Sequence, residues 1–199
     1  SKKLITKYGI KCNLKSFHEH NSTKKIPDII SELREDKIIS LITDAGTPLI
    51  SDPGFNLVKE CRIHNLNVYS LPGPSAVVAS LVSSGISSES FTFHGFFPRD
   101  NKRSNILIEK INYSDSTSIF FESPKRLIKT INKLNESIPQ REITIVRELT
   151  KKNEEIIFGA CSQVLEKLLS KETIKGEITV IVNFYNEKKE VKISESQLT

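Results

Sequence analysis

Two short stretches dense in proline and glycine constrain this chain more than any other feature. Residues 37–43 (KIISLIT) form a continuous apolar run that suits a buried parallel strand. They lead directly into Asp44-Ala45-Gly46-Thr47-Pro48-Leu49-Ile50-Ser51-Asp52-Pro53-Gly54. Residues 55–65 then read as a helix, with Phe55, Val58 and Cys61 recurring at helical spacing and Leu57 flanking that face. A short strand, residues 67–72 (NVYSLP), precedes a second bend, Pro72-Gly73-Pro74-Ser75. That bend opens a helix over residues 76–84 closed by Gly85 in the position of a C-terminal cap. Strand, loop and helix thus occur twice, the pattern of a parallel sheet with helices on its faces. In such sheets ligands bind at the carboxyl ends of the strands, where both bends fall.

From about residue 89 the rhythm changes. FTFHGFF reads as a strand, PRDNKRSN as a basic loop and ILIEKIN as a short helix. After them come strand STSIFFE, helix PKRLIKTINKLNESI, strand EITIVRE, strand EEIIFG, helix SQVLEKLLSK and strand EITVIVNFY. Adjacent strands with no helix between them imply a mixed sheet. The expected organisation is a parallel α/β domain over residues 1–88, a mixed-sheet α/β domain over 89–185 and a polar, disordered tail over 186–199. The segment LITKYG near the start reads as a helix, and the absence of methionine suggests that the N-terminal domain is incomplete.

At 199 residues the chain can bury a core without disulfide or metal staples. Cys12, Cys61 and Cys161 are odd in number and widely spaced, which fits packing residues rather than a disulfide framework or a zinc site. No apolar run approaches the roughly 18 residues of a membrane span, and the first residues do not read as a secretory signal, so a cytoplasmic protein is expected. A net charge of +5 favours a polyanionic partner. Lysines crowd the first segment, including Lys24 and Lys25, and Arg99, Lys102 and Arg103 form a second cluster. Both sets could be solvated faces or phosphate contacts.

The loop from Asp44 to Gly54 holds two prolines, two glycines and two aspartates. Proline fixes the backbone and glycine permits close approach, so a rigid loop presenting main-chain groups to a small molecule is one reading. The plainer one is a tight turn with Asp52 as helix cap and Pro53 at the first helical position. His18-Glu19-His20 invites a metal, but two ligands do not make a site, and a polar strand end or a place for His18 or Asn21 at the rim of an RNA cleft suits it better.

Leu41 to Gly54, then Leu71-Pro72-Gly73-Pro74-Ser75-Ala76, then Phe121-Glu122-Ser123-Pro124, and then Arg147-Glu148-Leu149-Thr150-Lys151 closely resemble the ribosomal RNA small subunit methyltransferase I family of the tetrapyrrole methylase superfamily. Phe17 to Asn21 and Gly176-Glu177 extend the likeness over residues 1 to about 185. The resemblance implies two α/β domains with S-adenosyl-L-methionine in the cleft between them, a homodimer, and 2′-O-methylation of a cytidine ribose in 16S rRNA of the small ribosomal subunit. It places the cofactor against Asp44, Ala45, Gly46, Thr47 and Pro48, the turn of Gly73, Pro74, Ser75 and Ala76, and the chain at Phe121, Arg147, Glu148, Leu149, Thr150 and Glu177. In the family, a strand and a Pro-Thr-Pro-Ile-Gly-Asn-like loop come before the segment that is residue 1 here.

Methyl transfer to a hydroxyl is an in-line displacement that depends on alignment and on removal of one proton. Asp52, Glu122, Glu148 and Lys151 are within reach of the expected cleft. Glu122 and Lys151 are taken as catalytic, with Glu122 open also to a structural role anchoring Arg126. Two other readings compete: a truncated relic or RNA-binding scaffold, and a small-molecule tetrapyrrole methyltransferase. Members of the latter group carry Gly-Asp-Pro where this chain has Asp44 to Pro48.

Overall fold

The computed structural model describes residues 2–184; the expected polar tail lies outside them. The described residues fall into two compact units, which divide after Ser75.

Among its described residues the first unit contains only helices: α1 (Lys2–Lys7), α2 (Glu19–Arg34) and α3 (Phe55–Ile63). Ile26, Ile29 and Ile30 of α2 recur one helical turn apart and pack with Leu57 and Cys61 of α3, joined by Phe17, Leu33, Leu66 and Val68. The buried face of α3 is therefore the Leu57/Cys61 pair; of the expected stripe Cys61 is buried, Val58 half-buried and Phe55 67 % exposed, while the flanking Leu57 takes the inner place. Helix α2 was not foreseen: it begins where a polar strand end was expected and carries Pro27 inside it.

Neither strand expected here forms. Residues 37–43 and 67–72 have no regular structure, and Ile38 and Leu71 are 97 % and 86 % exposed. A strand persists only where its N–H and C=O groups find a ladder partner, and the described residues of this unit offer none.

The second unit is a five-stranded mixed sheet, as expected, in the order β1-β2-β5-β3-β4. β1 (Phe91–Phe96) pairs in parallel with β2 (Thr117–Glu122) through α5 (Asn101–Asn112). β5 (Ile178–Val182) lies antiparallel between β2 and β3 (Glu142–Arg147), and β4 (Glu155–Ala160) completes a hairpin with β3. The period of two sorts each strand between two faces. Phe120, Ile143, Ile145, Ile178, Val180 and Val182 face the larger core with α5, α6 (Pro124–Ser137) and α7 (Cys161–Leu169). Ile119, Val146 and Ile181 face the other way, toward Val77 and Leu81 of α4 (Ala76–Ser83). Each such aliphatic or aromatic side chain, fully buried, contributes about 1.5–3 kcal/mol.

Helix α6 shows how the local sequence sets an element. Pro124 occupies its first turn, and Leu127, Thr130, Ile131 and Leu134 keep one stripe buried. Helix α4 ends toward Gly85 at φ 75°, in keeping with the expected cap. The two compact units divide after Ser75, and α4 buries Val77 and Leu81 against the sheet of the second.

Candidate active site

The loop between residues 44 and 54 is a constrained structure. Leu49 and Ser51 both adopt left-handed backbone, φ 72° and 62°, which residues bearing a Cβ seldom do. Gly54, at φ 143°, is the residue preceding α3, and a Cβ on it would fall 2.7 Å from Leu49 Cδ1 and 2.9 Å from Leu41 Cδ2. The expected Asp52 cap with Pro53 at the first helical position is therefore corrected: Gly54 caps and the helix starts at Phe55. Asp52 instead closes the base of the loop, its Oδ2 accepting from Thr43 Oγ1 at 2.9 Å.

The two bends meet. Thr47 Oγ1 donates to the carbonyl of Pro74 at 2.8 Å across 27 residues of sequence. Asp44, Ala45, Gly73 and Pro74 are exposed, and Gly46, Thr47, Pro48, Ser75 and Ala76 half-buried. A Cβ on Gly46 would meet nothing within 4 Å, so open space adjoins the main chain there. The main-chain groups of this fixed loop are thus open to a ligand on that side.

A second constrained loop follows β3. Glu148 and Thr150 are left-handed, φ 51° and 64°. Glu148 N–H donates to the Glu177 carbonyl at 2.9 Å, and Glu177 N–H donates to Glu148 Oε1 at 2.9 Å. Lys151 Nζ donates to Glu148 Oε1 at 2.8 Å and lies 3.0 Å from Glu177 Oε2. The Lys151 ammonium holds the Glu148 carboxyl below its usual range, and the same contact raises the lysine. Arg147 turns away to Glu155, at 2.9 Å, and to the Lys175 carbonyl, at 3.1 Å. Leu149 packs against the Val146 and Ile181 cluster, and Phe121 stacks edge-on with Phe93 and Phe96.

The two residues taken as catalytic, Glu122 and Lys151, both have partners within the protein. A lysine acts as base only when neutral, and Lys151 sits between two carboxylates that favour its charged form. Glu122 has a fully buried side chain with both oxygens engaged. Oε1 accepts from Ser123 N–H at 2.6 Å and pairs with Arg126 Nη2 at 2.5 Å, while Oε2 accepts from Thr130 Oγ1 at 2.6 Å. It is the anchor that ties the end of β2 to the first turns of α6, the structural alternative raised by the sequence.

The basic residues fall into different settings. Lys24, Arg99 and Lys102 are exposed. Lys25 donates to the Ser16 carbonyl at 2.5 Å, and Arg103 pairs with Asp100 at 2.6 Å. Lys102 and Arg103 lie in the first turn of α5, not in the expected loop, because Asp100 caps that helix by accepting from Arg103 N–H at 2.8 Å. His18 precedes α2, with its N–H donating to Asn21 Oδ1 at 2.9 Å, so His18-Glu19-His20 starts a helix rather than ending a strand. Among the described residues no group of three or more metal-ligating side chains converges, and no helix is long and apolar enough to cross a membrane.

Sequence reasoning misses Thr130 as part of this architecture, and it quotes Gly176 only within a family motif, without a structural task. Thr130 carries no local signal, being one polar residue on an apolar stripe. Gly176, at φ 99°, directly before a strand and next to Glu177, was the readable cue.

The mixed five-stranded sheet carries one left-handed loop at a motif position, and the first unit carries the other. Residues 5–165 match the family Tetrapyrrole (Corrin/Porphyrin) Methylases, and the chain belongs to that family. Within it, the chain is similar to Ribosomal RNA small subunit methyltransferase I of Thermotoga maritima, 41 % identical over 180 residues that cover 90 % of this chain and 80 % of the relative. It is also similar to the protein of the same name from Mesorhizobium japonicum, 39 % identical over 183 residues that cover 92 % of this chain and 62 % of the relative. The chain thus spans four fifths of the first relative and less than two thirds of the second. Among solved structures, diphthine synthase matches with TM-score 0.66 at 14 % identity, covering 92 % of this chain and 73 % of that one. Uroporphyrin-III C-methyl transferase from Thermus thermophilus, complexed with S-adenyl homocysteine, matches with TM-score 0.52 at 12 % identity, covering 81 % and 73 %. These structural likenesses concern the fold.

Proposed function

We propose that this chain transfers a methyl group from S-adenosyl-L-methionine to the 2′-hydroxyl of a cytidine ribose in 16S rRNA. The observation that carries the reading is the coincidence of motif and strain: of six non-glycine residues with left-handed backbone among the described residues, four lie in the two motif loops. Such conformations cost on the order of 1–3 kcal/mol each and cluster where a ligand is held. The names of the relatives supply the substrate class.

The bound cofactor would supply an electrophilic methyl on a sulfonium. The main chain of Asp44 to Pro48, of Gly73 to Ala76 and of Arg147 to Thr150 would hold it, and alignment in a site poor in water does much of the work. As the carbon–oxygen bond forms, the methyl carbon–sulfur bond would break, the thioether S-adenosyl-L-homocysteine would leave, and the hydroxyl proton must pass to a base. With Glu122, Glu148 and Lys151 engaged by internal partners, Asp52 is the remaining acid for that task, exposed and bonded through one oxygen to Thr43. Lys24, Lys25, Arg99, Lys102 and Arg103 would contact phosphates, so binding should weaken with salt. The same reading extends to a cytoplasmic homodimer.

Incubation with labelled S-adenosyl-L-methionine and small subunits lacking the modification, followed by mass spectrometry of nucleosides, should yield 2′-O-methylcytidine. Asp52→Asn should lower kcat by about 10²–10⁴ and leave cofactor affinity intact. Label on a base, or no transfer to any RNA, would refute the proposal.

A further inference from the structure

We infer that Glu148, Lys151 and Glu177 form a latch that positions the cofactor loop, and that Gly176 is glycine because the latch occupies its side-chain space. The inference rests on the functional reading above and assigns the three charged residues a task other than touching the reacting atoms.

Glu148 and Glu177 are 29 residues apart in sequence, yet they exchange two hydrogen bonds. The main-chain N–H of Glu148 donates to the Glu177 carbonyl, and the Glu148 carboxylate accepts from the Glu177 N–H. This reciprocal pair pins both ends of Glu148 to the start of β5 while its backbone stays at φ 51°. A left-handed glutamate persists only where its surroundings over-determine it, and two hydrogen bonds plus an ammonium do so. Lys151 Nζ bridges Glu148 Oε1 and Glu177 Oε2, neutralising carboxylates that would otherwise repel each other. Lys151 N–H also donates to the Glu148 carbonyl at 2.9 Å, so the turn from 148 to 151 closes on itself.

Gly176 completes the device. A Cβ built there would lie 2.4 Å from Glu148 Cγ and 2.5 Å from both Cδ and Oε1. Any side chain at 176 would expel the Glu148 carboxylate from its seat and release the loop. Its φ of 99° adds a second, independent demand for glycine. The latch therefore couples the start of β5 to the main chain from Arg147 to Thr150, the stretch that the functional reading places against the cofactor.

The test measures S-adenosyl-L-methionine affinity by calorimetry, and unfolding by urea, on the whole chain. Glu148→Gln and Lys151→Met should each weaken cofactor binding about tenfold or more, the scale of a charge-assisted hydrogen bond, whereas Lys151→Arg should restore most of it. Gly176→Ala should destabilise the wild-type background more than it does the Glu148→Ala background, because the clash vanishes with the carboxylate. Binding by wild type that Glu148→Gln and Lys151→Met leave unchanged overturns the latch and spares the functional reading. Wild type that shows no saturable binding overturns the functional reading and, with it, the task given to the latch. Additive effects of Gly176→Ala and Glu148→Ala on unfolding overturn the explanation of Gly176.

Discussion

The hydroxyl of Thr47 donates to the carbonyl of Pro74 at 2.8 Å, joining the two proline- and glycine-rich bends of the first unit. One loop thereby becomes a brace for the other. Thr47→Val keeps the shape and removes the donor. Stability should fall by about 0.5–1.5 kcal/mol, and S-adenosyl-L-methionine affinity should fall with it, since the bends would no longer share one geometry. Urea midpoints together with calorimetry check this; unchanged affinity would show that the bends act separately.

Glu122 is expected to matter for folding. Its buried carboxylate satisfies Ser123 N–H, Arg126 and Thr130 at once. Glu122→Ala should cost about 1–3 kcal/mol, because Ser123 N–H and Thr130 Oγ1 lose their acceptor while Arg126 loses its counter-ion but keeps the Phe97 carbonyl. A chemical denaturation curve gives the result directly. A variant as stable as wild type but inactive would return Glu122 to the chemistry.

Phe120 is fully buried at the centre of the larger core, beside Phe97 with ring centroids 5.1 Å apart. Phe120→Ala should destabilise by about 3–5 kcal/mol, combining lost transfer energy with the cavity left behind. Unfolding by urea with an unchanged slope is the expected signature, and a loss below about 1 kcal/mol would mean that the site collapses to fill the gap.

His94, half-buried on β1 and 3.2 Å from Ser118 Oγ, is held below its ordinary value of 6.5, first by burial and then by Lys110. The unfolded chain therefore takes up a proton at this site before the folded one does. As pH falls through about 6.5, stability should drop, continuing until the folded group also titrates; above that value the contribution is complete. His94→Gln keeps a polar partner for Ser118 and removes the titration. Urea midpoints between neutral and mildly acidic pH should decline for wild type and stay flatter for the variant. Parallel profiles would count against the assignment.

Much of the second unit was readable because its signals are local. The apolar runs in STSIFFE and EITVIVNFY, Pro124 opening a helix, and Gly85 closing one each need only a few neighbouring residues to be interpreted. The Asp44 to Gly54 and Pro72 to Ser75 bends announced themselves by residue type. Helix α2 did not, since Pro27 and a polar start hide the Ile26, Ile29 and Ile30 stripe. The apolar runs at 37–43 and 67–72 promised strands, but a run of isoleucines states only a preference, and no neighbouring strand among the described residues completes it.

The residues alone determined which segments would be strands and helices from residue 91 onward, where the rigid bends lie, and which family the chain resembles. The tertiary structure decided everything that depends on distant partners. It joined Thr47 to Pro74 and Glu148 to Glu177, engaged both oxygens of Glu122, placed Lys151 between two carboxylates and set α4 with the second unit. Local backbone preference is written in adjacent residues, whereas a carboxylate becomes base, anchor or latch only through the groups that folding brings to it.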